Sequence, residues 1–397
     1  MIKILPKRLI LACAASVFLF SGSTHAFESL ENFLTPYLAS HELPALAAAV
    51  VKEGQVIAAG AVGTRRAGQN IPVNLLDRFH LGSNTKAMTA LLIAARVDRG
   101  DIDWNSTLSQ IFPEMASGMH PSVRSITVGQ LLSHTSGIEA DNEDFLRLLE
   151  KSMSQSGNLD ELRYWLVRQW LMLPVESKPG SKFAYANMNY VILGAIVERL
   201  EDKTWEEVIV EKIFTPLELN TAGLGPQSSP GRINAPLGHL PANGRIKAML
   251  AGPSADNPLI IGPAGSAHMS ILDFAKWAGW NAGQGKREPQ LVTPRTLKKL
   301  HKPVVVMAPR KDAPPGTPSG GRYAFGWGEF SVKWANHPLI YHGGSNGMNL
   351  AHIWLDTQRD FAMVMATNIG SSRADAALLE IAGKLYEQYT KKKTKSK

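Results

Sequence analysis

Apolar β-type runs lie near both ends of this 397-residue chain, with a long and mainly helical stretch between them. The runs Ala45–Val51 and Gln55–Val62 flank Lys52-Glu53-Gly54, which is typical of a hairpin turn. Four more runs follow near the C-terminus: Tyr323–Phe330, Leu339–His342, Asn349–Leu355 and Phe361–Thr367. Because short turns join neighbouring strands, we predict an α+β fold in which both sets form one antiparallel sheet flanked by N- and C-terminal helices.

Helical spacing of apolar residues dominates the segment from about 101 to 249. The predicted helices there and in the flanking segments are Leu30–Ala39, Ala87–Val97, Thr127–Ser133, Leu159–Leu171, Met188–Leu200 and Arg373–Tyr389. We therefore predict a single catalytic unit over 27–390. Its α/β part comprises about 27–100 and 250–390, and its helical part is inserted at 101–249. A cleft between the two parts is where a site is expected.

Residues 1–26 have the pattern of a removable signal peptide. A basic start is followed by the apolar run Leu9–Phe20 and by small residues ending in Thr24-His25-Ala26. The run is too short for a membrane-spanning helix, so we predict export, most simply to the periplasm, without a stable membrane anchor. Ile10-Leu11-Ala12-Cys13 loosely resembles a lipobox, but only four residues separate Arg8 from Cys13, which argues against lipidation.

The formal charge of +8 lies at the chain ends, with three positive residues in the signal and five in the tail 391–397. The remainder is close to neutral, so no nucleic-acid partner is expected. Cys13 is the single cysteine, and its removal with the signal would exclude thiol catalysis, disulfides and cysteine-based zinc sites. The eleven histidines form no His-Glu-x-x-His motif, and no metal or cofactor is predicted. Oligomeric state is left open.

Ser83-Asn84-Thr85-Lys86 is the first candidate for chemistry. Serine and lysine three residues apart at the start of a helix share a face, and a desolvated lysine can accept the serine proton. Free N–H groups at the helix start favour developing negative charge. The motif is short enough to occur by chance, so its weight depends on other segments.

Two further motifs supply the groups that such a nucleophile requires. Tyr185-Ala186-Asn187 offers a phenol that can relay the proton and an amide that can orient a substrate amide. A buried tyrosine with a capping asparagine is the purely structural alternative. In His342-Gly343-Gly344-Ser345 the glycines permit close backbone approach, so the N–H groups of Ser345 and Ser83 could form an oxyanion hole. A glycine-rich turn is the alternative here.

In their order and spacing these three motifs resemble the signature of the serine β-lactamase and penicillin-binding protein superfamily. The resemblance is to class C-type β-lactamases, D-Ala-D-Ala carboxypeptidases and family VIII esterases. Further matching stretches are Leu131-Leu132-Ser133-His134-Thr135-Ser136-Gly137, Pro179-Gly180, Thr215-Pro216-Leu217 and Pro263-Ala264-Gly265. The resemblance implies an acyl-enzyme at Ser83, with Lys86 and Tyr185 as a coupled acid–base pair. By its own chemistry His134 reads as a structural residue that braces a helix end.

The third motif departs from the family's Lys-Thr-Gly, because His342 and Gly343 stand in place of lysine and threonine. This argues against efficient β-lactam hydrolysis and favours an esterase or peptidase. Candidate substrates are small esters, D-amino-acid peptides and β-lactams, and no deacylating base can be assigned. We expect His342 to support the site electrostatically. Since an ordinary imidazole loses its charge near neutral pH, binding of carboxylate substrates should weaken from pH 6 to 8.

Two other functions are weighed against this one. Gly343-Gly344-Ser345-Asn346-Gly347 matches the Gly-x-Ser-x-Gly elbow of α/β-hydrolases, but no acid followed by a histidine comes after it, and strand-like sequence continues. A catalytically silent penicillin-binding or sensor protein of the cell envelope is the second alternative, since fold does not guarantee activity. The joint presence of Ser83, Lys86, Tyr185 and Asn187 favours an enzyme.

Overall fold

A computed structural model describes residues 27–139, 142–242, 245–250, 252, 255–309, 312–317 and 320–391. The predicted signal peptide and the tail after Lys391 lie outside these residues and stay predictions. The strands are β1 (Glu28–Ser29), β2 (Ala45–Lys52), β3 (Gln55–Gly63), β4 (Arg78–His80), β5 (Gly223–Leu224), β6 (His239–Ala242), β7 (Arg245–Ala248), β8 (Ala267–Ser270), β9 (Val305–Val306), β10 (Arg322–Tyr323), β11 (Gly328–Phe330), β12 (Leu339–Ser345), β13 (Leu350–Asp356) and β14 (Phe361–Thr367).

Helices occupy both ends of the chain and most of its middle. They are α1 (Glu31–Ser40), α2 (Thr85–Asp98), α3 (Leu108–Ile111), α4 (Val128–Leu132), α5 (Glu143–Ser152), α6 (Leu159–Trp170), α7 (Asn187–Glu201), α8 (Trp205–Ile209), α9 (Gly262–Gly265), α10 (Ile271–Ala282), α11 (Pro294–His301) and α12 (Ser372–Thr390). Short 3-10 helices span Gly82–Asn84 and Leu259–Ile261, and a π-helical turn spans Val210–Phe214. In the described part of the chain no helix has the length and apolar character needed to cross a bilayer.

A nine-stranded sheet in the order β1-β3-β2-β14-β13-β12-β11-β10-β9 forms the centre of the fold. Its pairs are antiparallel except for the two-residue β1, which runs parallel to β3. The N-terminal hairpin joins the C-terminal strands through β2 and β14, with Leu46 opposite Thr367 and Lys52 opposite Phe361. The predicted α+β fold with one mainly antiparallel sheet is therefore confirmed.

Both faces of this sheet are covered, which explains why its strands are apolar throughout rather than alternating. In β2, Ala47 and Ala49 belong to the core shared with α2, α7 and α10. Leu46 and Val50 point the other way, into a second core with α1 and α12. The first and last helices thus cover one face, and the catalytic candidates lie on the other side, where the helical part packs.

Several elements differ from the sequence prediction. The stretch 101–249, predicted to be mainly helical, also contains the short strands β5, β6 and β7. The predicted strand Tyr323–Phe330 is split into β10 and β11, since Gly326 between them adopts φ +80°. A Cβ on Gly326 would lie only 3.1 Å from the Lys86 carbonyl oxygen. Helix α10, which covers the inner sheet face, was not predicted. Its local signals are the Ser270 cap, which accepts from the N–H of Asp273, and the apolar residues Ile271, Phe274, Ala275 and Ala278 at helical spacing.

Candidate active site

The proposed nucleophile lies on a tight turn between β4 and α2. Gly82 precedes it with φ +51°, and a Cβ there would come within 2.4 Å of the Ser345 nitrogen. Only glycine therefore permits both the turn and the contact with β12. The Asn84 amide donates to the carbonyls of Leu81 at 2.8 Å and Ala351 at 3.1 Å, which fixes the turn to β13.

Lys86 is fully buried one helical turn from Ser83. Its Nζ donates to Ser83 Oγ at 3.1 Å, to Asn187 Oδ1 at 2.7 Å and to the Ala264 carbonyl at 2.7 Å. Three hydrogen bonds match the three donors of an ammonium group and aim it at the serine hydroxyl. The Ser-x-x-Lys pair thus has the geometry needed for proton exchange.

The ring centroid of Tyr185 lies 4.9 Å from Lys86 Nζ. The Ser-x-x-Lys and Tyr-x-Asn motifs therefore meet at one place. His134 supports the tyrosine, because the two ring centroids are 4.4 Å apart. Its Nδ1 accepts from the N–H of Ala186 at 3.3 Å and faces the Asn189 amide at 3.1 Å.

Burial, reinforced by the charge of Lys86, holds the pKa of His134 well below its ordinary value. This residue is therefore a neutral brace. It ties the segment after α4 to the start of α7, in keeping with the structural role expected from the sequence.

Asn187 has a different contact from the one expected. It was expected to orient a substrate amide, whereas its Oδ1 accepts from Lys86 Nζ. As the first residue of α7, it links the position of this helix to the position of the lysine. We therefore assign the Asn187 carbonyl to the positioning of Lys86, and the substrate role stays a prediction.

Strand β12 runs past the nucleophile's turn at very short range. A Cβ on Gly344 would lie 2.0 Å from the Leu81 carbonyl oxygen and 2.6 Å from the Ser83 nitrogen. The main chain of Ser345, next in sequence, is therefore adjacent to Ser83, as an oxyanion hole requires. The Ser345 hydroxyl is engaged elsewhere, since it donates to the Asn349 carbonyl at 2.6 Å.

The expectation for His342 needs correction. The ring is fully buried, its Nδ1 donates to the Gly343 carbonyl at 2.6 Å, and its Nε2 accepts from Tyr323 Oη at 3.1 Å. Burial, with the nearby Lys86 charge, lowers the pKa of His342 to about 3. The imidazole is thus neutral at physiological pH, so the expected loss of charge between pH 6 and 8 is wrong. His342 fixes the strand and offers no cation to a carboxylate.

A buried pair that the sequence analysis missed lies behind the nucleophile. His80 Nδ1 accepts from the Gly82 N–H at 3.1 Å, so the proton is on Nε2, which donates to Asp256 at 3.0 Å. Asp256 also accepts from the Asn346 amide at 3.0 Å. Burial alone would raise the pKa of Asp256, but His80 and these hydrogen bonds bring it below its ordinary value.

The His80–Asp256 pair thus ties the serine turn to the residue that follows Ser345. Asp256 is 176 residues from His80, so local sequence gave no sign of the pair. No group of three or more His, Cys, Asp or Glu side chains among the described residues is arranged to hold a metal ion.

Comparison with known proteins identifies the family to which this arrangement corresponds. The profile of the Beta-lactamase family matches residues 30–387, nearly the whole described chain. The chain belongs to the Beta-lactamase family. Its Ser83, Lys86 and Tyr185 motifs fall within the matched region, as do the β12 strand and the Pro263-Ala264-Gly265 turn.

More distant relationships agree with this membership. This chain is 22% identical over 348 residues to Protein flp of Staphylococcus aureus. The alignment covers 87% of this chain and 63% of that protein. The octameric penicillin-binding protein homologue from Pyrococcus abyssi shares the fold, with a TM-score of 0.69, 24% identity and coverage of 89% and 77% of the two chains. D-amino acid amidase from Ochrobactrum anthropi has a TM-score of 0.68, 18% identity and coverage of 90% and 97%.

Proposed function

We propose that this protein is an exported serine hydrolase that forms an acyl-enzyme at Ser83 with ester or amide carbonyls. One observation carries the proposal: the buried Lys86 ammonium is held 3.1 Å from Ser83 Oγ by two further acceptors. In this position Lys86 can exchange a proton with the Ser83 hydroxyl. Burial of its charge costs desolvation free energy, which the three hydrogen bonds offset.

The reaction proceeds in two steps. Lys86 first gives one proton to solvent, and the resulting amine, coupled to Tyr185, takes the Ser83 hydroxyl proton as Ser83 Oγ bonds to the substrate carbonyl carbon. The N–H groups of Ser83 and Ser345 stabilise the oxyanion. The bond to the leaving alcohol or amine breaks and that group takes up the proton. Water then attacks the acyl-enzyme, which releases the acid and restores the Ser83 hydroxyl.

The substrate preference we propose is for esters and simple amides over β-lactams. In place of the family's lysine, β12 presents a neutral, buried His342, which cannot pair with the carboxylate of a β-lactam or a C-terminal D-alanine. The similarity in fold to a D-amino acid amidase is compatible with amide substrates. Export rests on the pattern of residues 1–26.

The decisive experiment compares Ser83→Ala with Ser345→Ala, using hydrolysis of p-nitrophenyl acetate and D-amino-acid amides. We expect Ser83→Ala to lose turnover by about 10³-fold or more while remaining folded. Ser345→Ala should retain most of the turnover, because it keeps the main-chain N–H of this residue. The hydroxyl that it removes donates to the Asn349 carbonyl.

Wild-type turnover by Ser83→Ala would refute the assignment. A protein that a labelled penicillin acylates at Ser83, but that turns over no substrate, would instead be a silent penicillin-binding protein.

A further inference from the structure

An apolar cavity of about 620 Å³ is lined in part by Asp256, the residue that pairs with His80. Its walls come from the end of α5 and the start of α6, from residues 226–230, and from the segment that leads into α9. The volume is in the range of sites that bind small organic molecules. Most of its described lining is apolar, including Met153, Leu159, Leu162 and Leu259.

Two lining residues, Asp256 and Asn257, connect this cavity to the turn that holds Ser83. Asp256 is bonded to His80 behind Gly82 and to Asn346 next to Ser345. Asn257 and Gly82 approach Gly265 at the same point. A Cβ on Gly265 would lie 3.8 Å from Asn257 Nδ2 and 3.6 Å from the Gly82 carbonyl carbon. These contacts place the cavity wall close to the turn that holds Ser83.

Two of the polar side chains at the wall, Asp256 and Ser152, are already bonded within the protein. Among the described residues lining the cavity, Asp256 is the only ionisable one, and its carboxylate is bonded by His80 and Asn346. The Ser152 hydroxyl donates to the Leu149 carbonyl at 2.6 Å. A charged ligand group would thus find no unpaired ionisable side chain among these described residues, whereas a hydrocarbon group would be stabilised.

Met153 and Leu259, which both line this cavity, are 77% and 51% exposed. A hydrocarbon chain bound between them would remove these surfaces from water. Methionine at a rim also adapts to ligands of different shape, because its side chain is flexible and polarisable.

We propose that this cavity is a substrate subsite that selects an uncharged, apolar substituent, such as a medium alkyl chain or an aromatic ring, on the ester or amide attacked by Ser83. The inference rests on the proposed hydrolase function and specifies its substrate class. It also agrees with the neutral His342, since neither region offers a charge to a polar ligand.

The test measures kcat/KM of the full chain in two ester series. One extends the acyl group of p-nitrophenyl esters from acetate to hexanoate, and the other extends the leaving alcohol of acetate esters from ethyl to hexyl. Wild type should gain about tenfold or more along at least one series, given about 0.8 kcal/mol for each methylene removed from water. The series that rises shows which end of the substrate enters the cavity.

Leu259→Asp places a charge on the rim at an exposed position, so folding should be preserved. It should lower kcat/KM for the longest ester about tenfold and leave acetate within about twofold. The matched control Leu379→Asp, on α12 across the sheet and 41% exposed in wild type, should alter neither.

Flat series in wild type, or an equal effect of Leu259→Asp on short and long esters, would overturn the subsite. If wild type hydrolyses no ester of either series, including the acetates, the hydrolase function itself is refuted. The two failures are therefore distinguishable.

Discussion

At Gly344 a single methyl group decides whether β12 can lie against the nucleophile. A Cβ there would lie 2.0 Å from the Leu81 carbonyl oxygen and 2.6 Å from the Ser83 nitrogen. Both are main-chain atoms, so neither can rotate away. The strand would have to move, and the Ser345 N–H would move with it. A donor displaced by about 1 Å contributes little to an oxyanion.

We therefore predict that Gly344→Ala lowers kcat for p-nitrophenyl acetate about 10²-fold or more while the protein stays folded. The control is Gly118→Ala, where the nearest atom outside the local chain is at an ordinary 3.6 Å and φ is not positive. Steady-state kinetics and thermal melting of both variants check this. Full activity in Gly344→Ala would mean that this strand does not form the oxyanion hole.

At the scale of the elements, a buried ionic cluster aligns the helices that support the site. Arg163 of α6 is fully buried and contacts Glu198 of α7 and Glu206 of α8. Its Nε donates to the Ile260 carbonyl at 3.0 Å. Ile260 is in the 3-10 helix that runs into α9, and α9 carries the Ala264 carbonyl bonded to Lys86. Three helices are thus connected to the lysine's environment.

The pH dependence of this cluster follows from Glu198. Burial raises its pKa to about 7, despite the opposing charge of Arg163. The folded state therefore holds the proton more tightly than the unfolded chain. The stability that this contributes is present below about pH 4.5 and is lost as pH rises through 7.

We predict that wild type loses up to about 3 kcal/mol of unfolding free energy between pH 5 and 8 relative to Glu198→Gln. Urea unfolding at several pH values measures the difference. Glu150→Gln, an exposed position on α5, serves as the control and should follow wild type. Parallel curves for wild type and Glu198→Gln would show that Glu198 does not titrate in this range.

On the scale of the whole molecule, burial of neutral histidines sets the tolerance to acid. Burial lowers the pKa of His268 to about 4 and the pKa values of His301 and His342 to about 3. Each takes up its proton readily only when the chain unfolds. Their contribution is therefore complete above about pH 6.5 and is lost as pH falls below it.

Because each buried histidine adds about 1.4 kcal/mol per pH unit to this loss, we predict steep destabilisation from pH 6 to pH 4. His301→Gln should reduce the slope by about one proton, as measured by urea unfolding across this range. His41→Gln, at the partly exposed end of α1, should keep the wild-type slope. An unchanged slope in His301→Gln would exclude that residue as a contributor.

The sequence predicted the parts of the site whose geometry is local. Three residues along a helix place Ser83 and Lys86 together in any helical context, and glycines at 343–344 permit close approach of a strand. The apolar runs likewise predicted the main strands and their antiparallel pairing. The cap and apolar spacing of α10 could have predicted that helix, whereas spacing alone could not predict the break at Gly326, which depends on packing against α2.

What the sequence determined by itself is therefore the nucleophile motif, the order of the main strands of the central sheet and the family resemblance. The tertiary structure decided the protonation of His342, the role of Asn187 toward Lys86, the His80–Asp256 pair and the apolar cavity. Each of these depends on burial and on contacts between residues far apart in the chain. Desolvation and partner choice are properties of the packed interior, and a residue's type does not specify them.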